Sequence, residues 1–426
     1  MGRVLKIDMT YGESGFIDVP PDFEGRGGRG LVPAFASDPT LEPLAPDNTL
    51  VFAPGLLAGT SCPGSGRISV GCQSPVTGWL VASNAGGMAG HHLKCMGIDA
   101  IVIEGAPDPP KGFFNMVVTK DGAKVAPTSV RNRNISKALP ELRGMYGDAC
   151  SYILTGIGGD QKCPMANIAV TGPDLQPSSR FGNGGAGAVL GSKLIKAIVI
   201  DPRGAPPLVP MSPEFEKAVQ RFTELAKETS KAKTERGKGC MPNCAVPCMR
   251  KAPEGKGVTA EKKPKAFSFI AKTDPELADK FMDLCDDMGL GAWEIARSVQ
   301  TLSPENKPPW NVLLKNIRGR NPAGLFILFQ RPELFAERMG IPVSNLYNPW
   351  AEQSPEKTME DCVMDELGLC RKACVKALKN IDGLHTAAEM ISALLHKEVT
   401  AFDISENSYN TAYFEMRYRS RIPFDK

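Results

Sequence analysis

The sequence predicts an α+β chain in two parts, a β-rich N-terminal base and a mostly helical remainder. Three observations carry that reading. Short β-branched segments bounded by Gly, Pro, Asn or Asp recur up to residue 201. Pro206, Pro207 and Pro210 then form a stiff connector. Beyond it, apolar residues recur at helical spacing. The expected division is a β-rich domain over 1–204 and a helical region over 205–426, the latter divisible near 302–355.

The strands expected in order are Val4–Asp8, Thr49–Ala53, Arg67–Gly71, Ala100–Glu104, Met116–Lys120 and Ala197–Asp201. Ser212 and Pro213 are a good N-cap and first-turn pair. They open a helix with Phe215, Val219, Phe222 and Leu225 on one face. A second helix opens at Asp274–Pro275, with Leu277, Phe281, Leu284 and Met288 on its inner side. It should stop at Gly289, a left-handed residue just past the helix end.

The 426 residues, 42% hydrophobic and 23% charged, suffice for a large core and exclude a disordered or fibrous chain. Lys+Arg at 50 against Asp+Glu at 47 leaves a net charge of +3, no field to recruit nucleic acid or anionic lipid. No run approaches the roughly 20 apolar residues of a membrane span. The opening residues 1–10 lack the apolar core of a secretory signal, so a soluble, cytoplasmic chain is expected. In such a chain the 12 cysteines are better read as metal ligands or buried thiols than as disulfides.

Cys240, Cys244 and Cys248 form the sharpest local signal. Pro242 and Pro247 argue against a helix there, so the segment is a loop wrapping a central object. Three clustered thiolates with a distant fourth suit an iron–sulfur cluster or a tetrahedral zinc, and spacing leaves both open. Cys362, Cys370 and Cys374 make a second, looser group.

Asp286-Asp-Met-Gly289-Leu290 and Asp365-Glu-Leu-Gly368-Leu369 repeat the pattern Asp-x-x-Gly-Leu after helical spacing. Each should be a helix end turning at glycine, exposing backbone groups beside an acidic side chain, a cradle for a polar ring system. One copy alone would be an ordinary glycine-capped helix; two with identical anchors point further.

Gly25–Gly30 and Gly182–Gly187 fit GxGxxG. Pro20–Pro21 and Pro177–Ser179 stand where a preceding strand should be, which weighs against a dinucleotide fold. Gly184 and Gly185 still let backbone approach a phosphate, ahead of a short helix over Ala186–Lys193. Arg67 could pair with a phosphate or bridge two cofactors, and Asn84 could offer its carbonyl to a cation. His91, His92, His385 and His396 stand in no hydrolase motif. The lysines between Lys251 and Lys272 read as a solvated loop or a dock for an acidic electron carrier.

Taken in order, these features resemble the tungsten-containing aldehyde ferredoxin oxidoreductase family. The resemblance runs through Gly28–Leu31, Leu57–Thr60, Gly66-Arg67, Ser74–Gly78, Asn84–Gly87, Asp99–Gly105, Gly184–Gly187 and Gly191–Ile198. It continues through the cysteine triplet, both Asp-x-x-Gly-Leu copies and a closing helix over Val399–Arg421.

The resemblance implies a metal, tungsten or molybdenum, held by two pterin dithiolenes beside a [4Fe–4S] cluster. Cys240, Cys244, Cys248 and Cys370 would ligate the cluster. Asp286, Gly289 and Leu290 would hold one pterin, and Asp365, Gly368 and Leu369 the other. Arg67 would lie between cluster and pterin, and Asn84 would serve a magnesium ion bridging the pterin phosphates. Electrons would pass between a small-molecule aldehyde, carbonyl or acyl substrate and ferredoxin or a partner iron–sulfur subunit, in a homo-oligomer or a heteromeric complex.

This chain departs from the family pattern in its C-x3-C-x3-C spacing, in Pro264-Lys265-Ala266-Phe267 where the family has Pro-Glu-Tyr-Glu, and in a shortened region after Thr301. Ring-reducing acyl-CoA chemistry is one reading of the altered pocket. The alternative is a non-catalytic structural or electron-relay subunit of a larger redox complex.

Overall fold

The computed structural model describes residues 2–110, 112–229, 239–244, 246, 275–292, 294–295 and 355–419. Cys248, the lysine-rich stretch, Pro264–Phe267 and the proposed division near 302–355 lie outside them, apart from the last residue of that span.

The strands form two six-stranded sheets. The first contains β1 (Arg3–Asp8), β2 (Glu13–Asp18), β3 (Leu50–Pro54), β4 (Ile68–Gln73), β5 (Leu80–Ala85) and β6 (Ala100–Glu104), ordered β2-β1-β6-β3-β4-β5. The second contains β7 (Phe113–Thr119), β8 (Gly122–Thr128), β9 (Ser151–Leu154), β10 (Ile168–Thr171), β11 (Pro177–Phe181) and β12 (Ile195–Ile200), ordered β11-β10-β9-β12-β7-β8. Read from opposite ends, the two orders are one plan. Each sheet starts with an antiparallel hairpin whose first strand runs parallel to the sheet's last strand, β1 beside β6 and β7 beside β12.

The sequence bears the same duplication. Ala100-Ile101-Val102-Ile103-Glu104 matches Ala197-Ile198-Val199-Ile200-Asp201, and each follows a seven-residue helix, α1 (Ala89–Cys95) and α4 (Ala186–Ser192). Both sheets and both helices contribute to one core, in which Phe52 meets Phe181 edge-on at 5.7 Å. The remaining base helices are α2 (Ile135–Tyr146) and the single turn α3 (Ile157–Asp160).

Every residue segment expected as a strand overlaps one. Among the unforeseen strands β2 is mostly exposed, β8 buries none of its residues fully, β9 and β10 have four residues each, and β5 is six residues long and mostly buried. Pro177–Ser179, expected to exclude a strand, begins β11. The correction has a simple cause: Pro177 is the first residue of an edge strand, where its missing N–H breaks no ladder. Because β11 is antiparallel to β10, the glycines after it still do not make a parallel dinucleotide fold.

Beyond residue 205 the described secondary structure is helical: α5 (Pro213–Thr229), α6 (Pro275–Met288), α7 (Pro355–Leu367), α8 (Arg371–Leu378), α9 (Ile381–Leu395) and α10 (Ala401–Arg419). Ser212 Oγ accepts from the Phe215 amide at 3.3 Å, as a start signal should. Phe215, Val219 and Phe222 are buried with Leu225 packed beside them. The inner face of α6 is Phe281, Met282, Cys285 and Met288; Leu284 is only half-buried, a rotation by which Cys285 takes its place. No described helix is long and apolar enough to cross a membrane.

Candidate functional site

Both Asp-x-x-Gly-Leu segments end a helix in the same way. At the end of α6, Gly289 adopts φ +70° and the Leu290 amide returns to Cys285 O at 2.8 Å. At the end of α7, Gly368 adopts φ +72° and the Leu369 amide returns to Met364 O at 2.9 Å. These are glycine stops whose second hydrogen bond spans five residues.

Each turn is held on one of the duplicated sheets, with two backbone hydrogen bonds common to both. The α7 turn sits on the loop between β3 and β4: Leu56, Leu57, Arg67 and Cys370 amides bond Glu366, Leu367, Gly368 and Gly64 carbonyls at 2.9, 3.2, 3.1 and 2.8 Å. The α6 turn sits on the loop between β9 and β10: Asn167 and Gly291 amides bond Gly289 and Met165 carbonyls, each at 2.8 Å. The Asn167 side chain adds a 2.8 Å bond to Leu290 O. A glycine makes each approach possible. A Cβ on Gly55 would lie 2.1 Å from Gly368 Cα, and one on Gly156 would lie 2.3 Å from Met288 O.

The signal was present in the sequence and was missed. Gly55-x6-Cys62-Pro63, followed by Arg67-Ile68-x-Val70, matches Gly156-x6-Cys163-Pro164, followed by Asn167-Ile168-x-Val170. Arg67 and Asn167 are thus counterparts, as are Cys370 and Gly291.

Buried charge frames both turns. Asp365, pushed up to about 6 by burial against the pull of Arg29 and Arg67, lies 3.7 Å from the Arg29 guanidinium. Arg29 also grips Glu415 of α10 through bonds of 2.7 and 2.6 Å, and Arg26 grips Glu366 at 2.5 Å. At the other turn, Arg180 of β11 faces Asp286 through its Nε at 3.4 Å, and among the described residues its Nε and Nη2 make no hydrogen bond. Glu294 is 2% exposed. Its Oε1 accepts from the Gly184 amide at 3.0 Å, and its Oε2 has no hydrogen-bond partner among the described residues. Burial pushes this carboxyl up to about 8. The Gly184 amide, expected to meet phosphate, therefore meets a carboxyl.

Arg67 stands at the junction. Its Nε bonds Asn84 Oδ1 and its Nη2 bonds the Asn84 carbonyl at 2.9 Å, the oxygen expected to face a cation. Its charge acts on Asp365 and on Cys240. A hydrogen bond from the Cys240 thiol to Cys244 raises Cys240 and lowers Cys244. A Cβ on Gly86 would lie 3.0 Å from the Cys240 sulfur, and one on Gly64 would lie 3.1 Å from the Cys374 sulfur and 3.6 Å from Cys370 Cβ. Cys374 lies beside Cys370; burial, with Cys370 adding to it, pushes its thiol up, and Cys374 in turn adds to the burial that raises Cys62. Cys362 points elsewhere, toward Arg29 and Glu415.

All described cysteines are free thiols. Among the described residues no three His, Cys, Asp or Glu side chains converge to hold a metal ion. A cleft of about 410 Å³ between Glu24, Leu395 and Asp403 contains none of the expected site residues.

The sequence pattern described as the aldehyde ferredoxin oxidoreductase N-terminal domain matches residues 4–202. Over this N-terminal part the chain is similar to the aldehyde ferredoxin oxidoreductases. A tungsten-containing aldehyde ferredoxin oxidoreductase of Pyrococcus abyssi is 35% identical over 208 residues, 47% of this chain and 33% of that protein. The glyceraldehyde-3-phosphate:ferredoxin oxidoreductase of Pyrococcus furiosus is 30% identical over 115 residues, 27% and 17% of the two chains. The matched stretch thus spans about a third or less of these oxidoreductases. A chain of the active-site complex BamBC of benzoyl coenzyme A reductase, solved with 1,5-dienoyl-CoA, shares the fold: TM-score 0.76 over 99% of this chain and 89% of that one, at 17% identity.

Proposed function

We propose that this chain is the bis-pterin subunit of a tungsten or molybdenum oxidoreductase. It would act on an aldehyde or a related carbonyl or acyl compound and exchange electrons through a [4Fe–4S] cluster with ferredoxin or a partner iron–sulfur subunit. One observation carries the reading: two Asp-x-x-Gly-Leu turns are held in equivalent loops of a duplicated sheet, with Arg67 between one turn and the cysteines.

The residues present fit these groups. Glycines let loop and turn backbone meet at both turns, and buried polar atoms on Arg180 and Glu294 have no hydrogen-bond partner among the described residues. Soft sulfur donors suit iron. Asp286, Gly289 and Leu290, with Gly184 and Gly185, would hold one pterin, and Asp365, Gly368 and Leu369 the other. Cys240, Cys244, Cys248 and Cys370 would hold the cluster, and Asn84 a magnesium ion at the pterin phosphates. Bound there, the dithiolene-held metal would supply two-electron chemistry and the cluster one-electron transfer.

The chain's own part is electrostatic and steric. Arg67 sets a fixed positive charge against the sulfurs and the Asp365 turn. Arg29 and Arg26 tie that turn to α10, so that its backbone groups keep their aim.

A second reading, a non-catalytic relay subunit, is favoured by Pro264-Lys265-Ala266-Phe267, which supplies no glutamate to a pocket. Metal, iron and pterin analysis of anaerobically purified protein tests the cofactor claim; absence of tungsten, molybdenum and pterin refutes it. Reduction of a viologen dye by aldehydes separates the catalytic reading from the relay.

A further inference from the structure

We infer that Glu294 is a cofactor-positioning residue at the α6 turn, its free carboxyl oxygen accepting N–H donors from the aminopyrimidine edge of the ring bound there. The inference rests on the bis-pterin reading and adds a residue to it.

Three independent features converge on this carboxyl. Glu294 is 2% exposed, yet among the described residues only one of its oxygens is satisfied, by the Gly184 amide at 3.0 Å. A buried oxygen left without a donor is costly and needs an explanation. The duplication supplies one: Gly291 holds the place that Cys370 holds at the other turn, with matching backbone bonds to Met165 and Gly64. Gly291 offers no side chain there, and Glu294 Oε2 lies only 2.2 Å from where its Cβ would stand. The carboxyl therefore fills the room that a cysteine side chain enters at the α7 turn. On the facing strand, Arg180 presents Nε and Nη2 without hydrogen bonds while paired at 3.4 Å with Asp286, the acidic anchor of the same turn.

Unsatisfied acceptor and unsatisfied donors at one turn describe a ligand with both kinds of edge. An aminopyrimidinone ring has them: adjacent N–H donors for Glu294 and a carbonyl oxygen for Arg180. Ionised and bonded to such donors, the carboxyl would regain the solvation that burial removes.

The test is pterin and iron content per chain of anaerobically purified protein, comparing the parent with Glu294→Gln and Glu294→Asp. Glutamine keeps the shape and an oxygen for the Gly184 amide but turns a donor toward the ring donors. The expected result is loss of half or more of the pterin in Glu294→Gln with iron content unchanged, and a smaller loss in Glu294→Asp. Parent-level pterin in a folded Glu294→Gln protein, judged by circular dichroism, would overturn the assignment while leaving the bis-pterin reading intact. A parent chain without pterin would overturn both. If Glu294→Gln fails to fold, Arg180→Lys gives the same readout: pterin loss with iron retained supports the site, and full pterin overturns it.

Discussion

Replacing Gly55 with alanine should separate the α7 turn from the base. The residue adds one methyl group, and Gly55 does not adopt a positive φ, so the effect is steric alone. The new Cβ would stand 2.1 Å from Gly368 Cα and 2.2 Å from Gly368 N, against backbone that has no rotamer to yield. Relief requires the loop and turn to part by more than an ångström. That movement breaks the bonds from Leu56, Leu57 and Arg67 to Glu366, Leu367 and Gly368. Three such bonds contribute about 3 kcal/mol, and overpacking adds about 1–3 kcal/mol, so a destabilisation of about 4 kcal/mol is expected after partial relaxation. Gly156→Ala makes the matching test at the α6 turn, with Met288 O 2.3 Å away. Gly144→Ala is the control: it lies exposed within α2, meets nothing within 4 Å, and should stabilise by about 0.5–1 kcal/mol. Calorimetry of the three variants should show Gly55→Ala and Gly156→Ala melting several degrees below the parent and Gly144→Ala at or above it. A Gly55→Ala protein that melts with the parent would refute the docking argument.

Three further outcomes follow from the buried charges and thiols. Glu294, ordinarily at 4.5 and pushed up to about 8, keeps its proton in the folded chain after the unfolded chain has lost it, so cofactor-free protein should lose stability between about pH 4.5 and 8. Melting temperatures across that range should fall less steeply in Glu294→Gln, and equal slopes would contradict the assignment. Arg29→Met strands Glu415 and Asp365 in the interior and should cost about 3–5 kcal/mol; adding Glu415→Leu should recover part of it in thermal unfolding. Cys370→Ser should strip the iron while Cys362→Ser leaves it, because Cys362 faces Arg29; iron assay and low-temperature electron paramagnetic resonance decide it, and iron loss in Cys362→Ser alone would reverse the ligand choice.

Much of this architecture is legible locally. A β-branched run such as Ala100–Glu104 declares itself, as does the glycine after Met288, because periodicity and a left-handed stop are properties of neighbouring residues. What local reading loses is whatever the sheet decides. β11 forms because an edge position excuses Pro177, and β2 forms although it buries almost nothing, since β1 supplies its partner. The site follows the same rule. The Asp-x-x-Gly-Leu anchors are visible from spacing, whereas Glu294, Arg180 and Arg29 owe their surroundings to residues about 100 to 390 positions away. Only the duplicated Gly-x6-Cys-Pro loops could have announced, before any coordinates, that the two turns share one kind of seat.

That shared seat has diverged. One copy keeps arginine and cysteine where the other has asparagine and glycine, so a frame of nearly twofold plan ends in unequal poles. Two chemically alike guests lodged in it would not be equivalent: one would border sulfur and Arg67, the other the Glu294 carboxyl and Arg180. The geometry of inheritance would thereby impose a direction on traffic that the guests themselves could not choose.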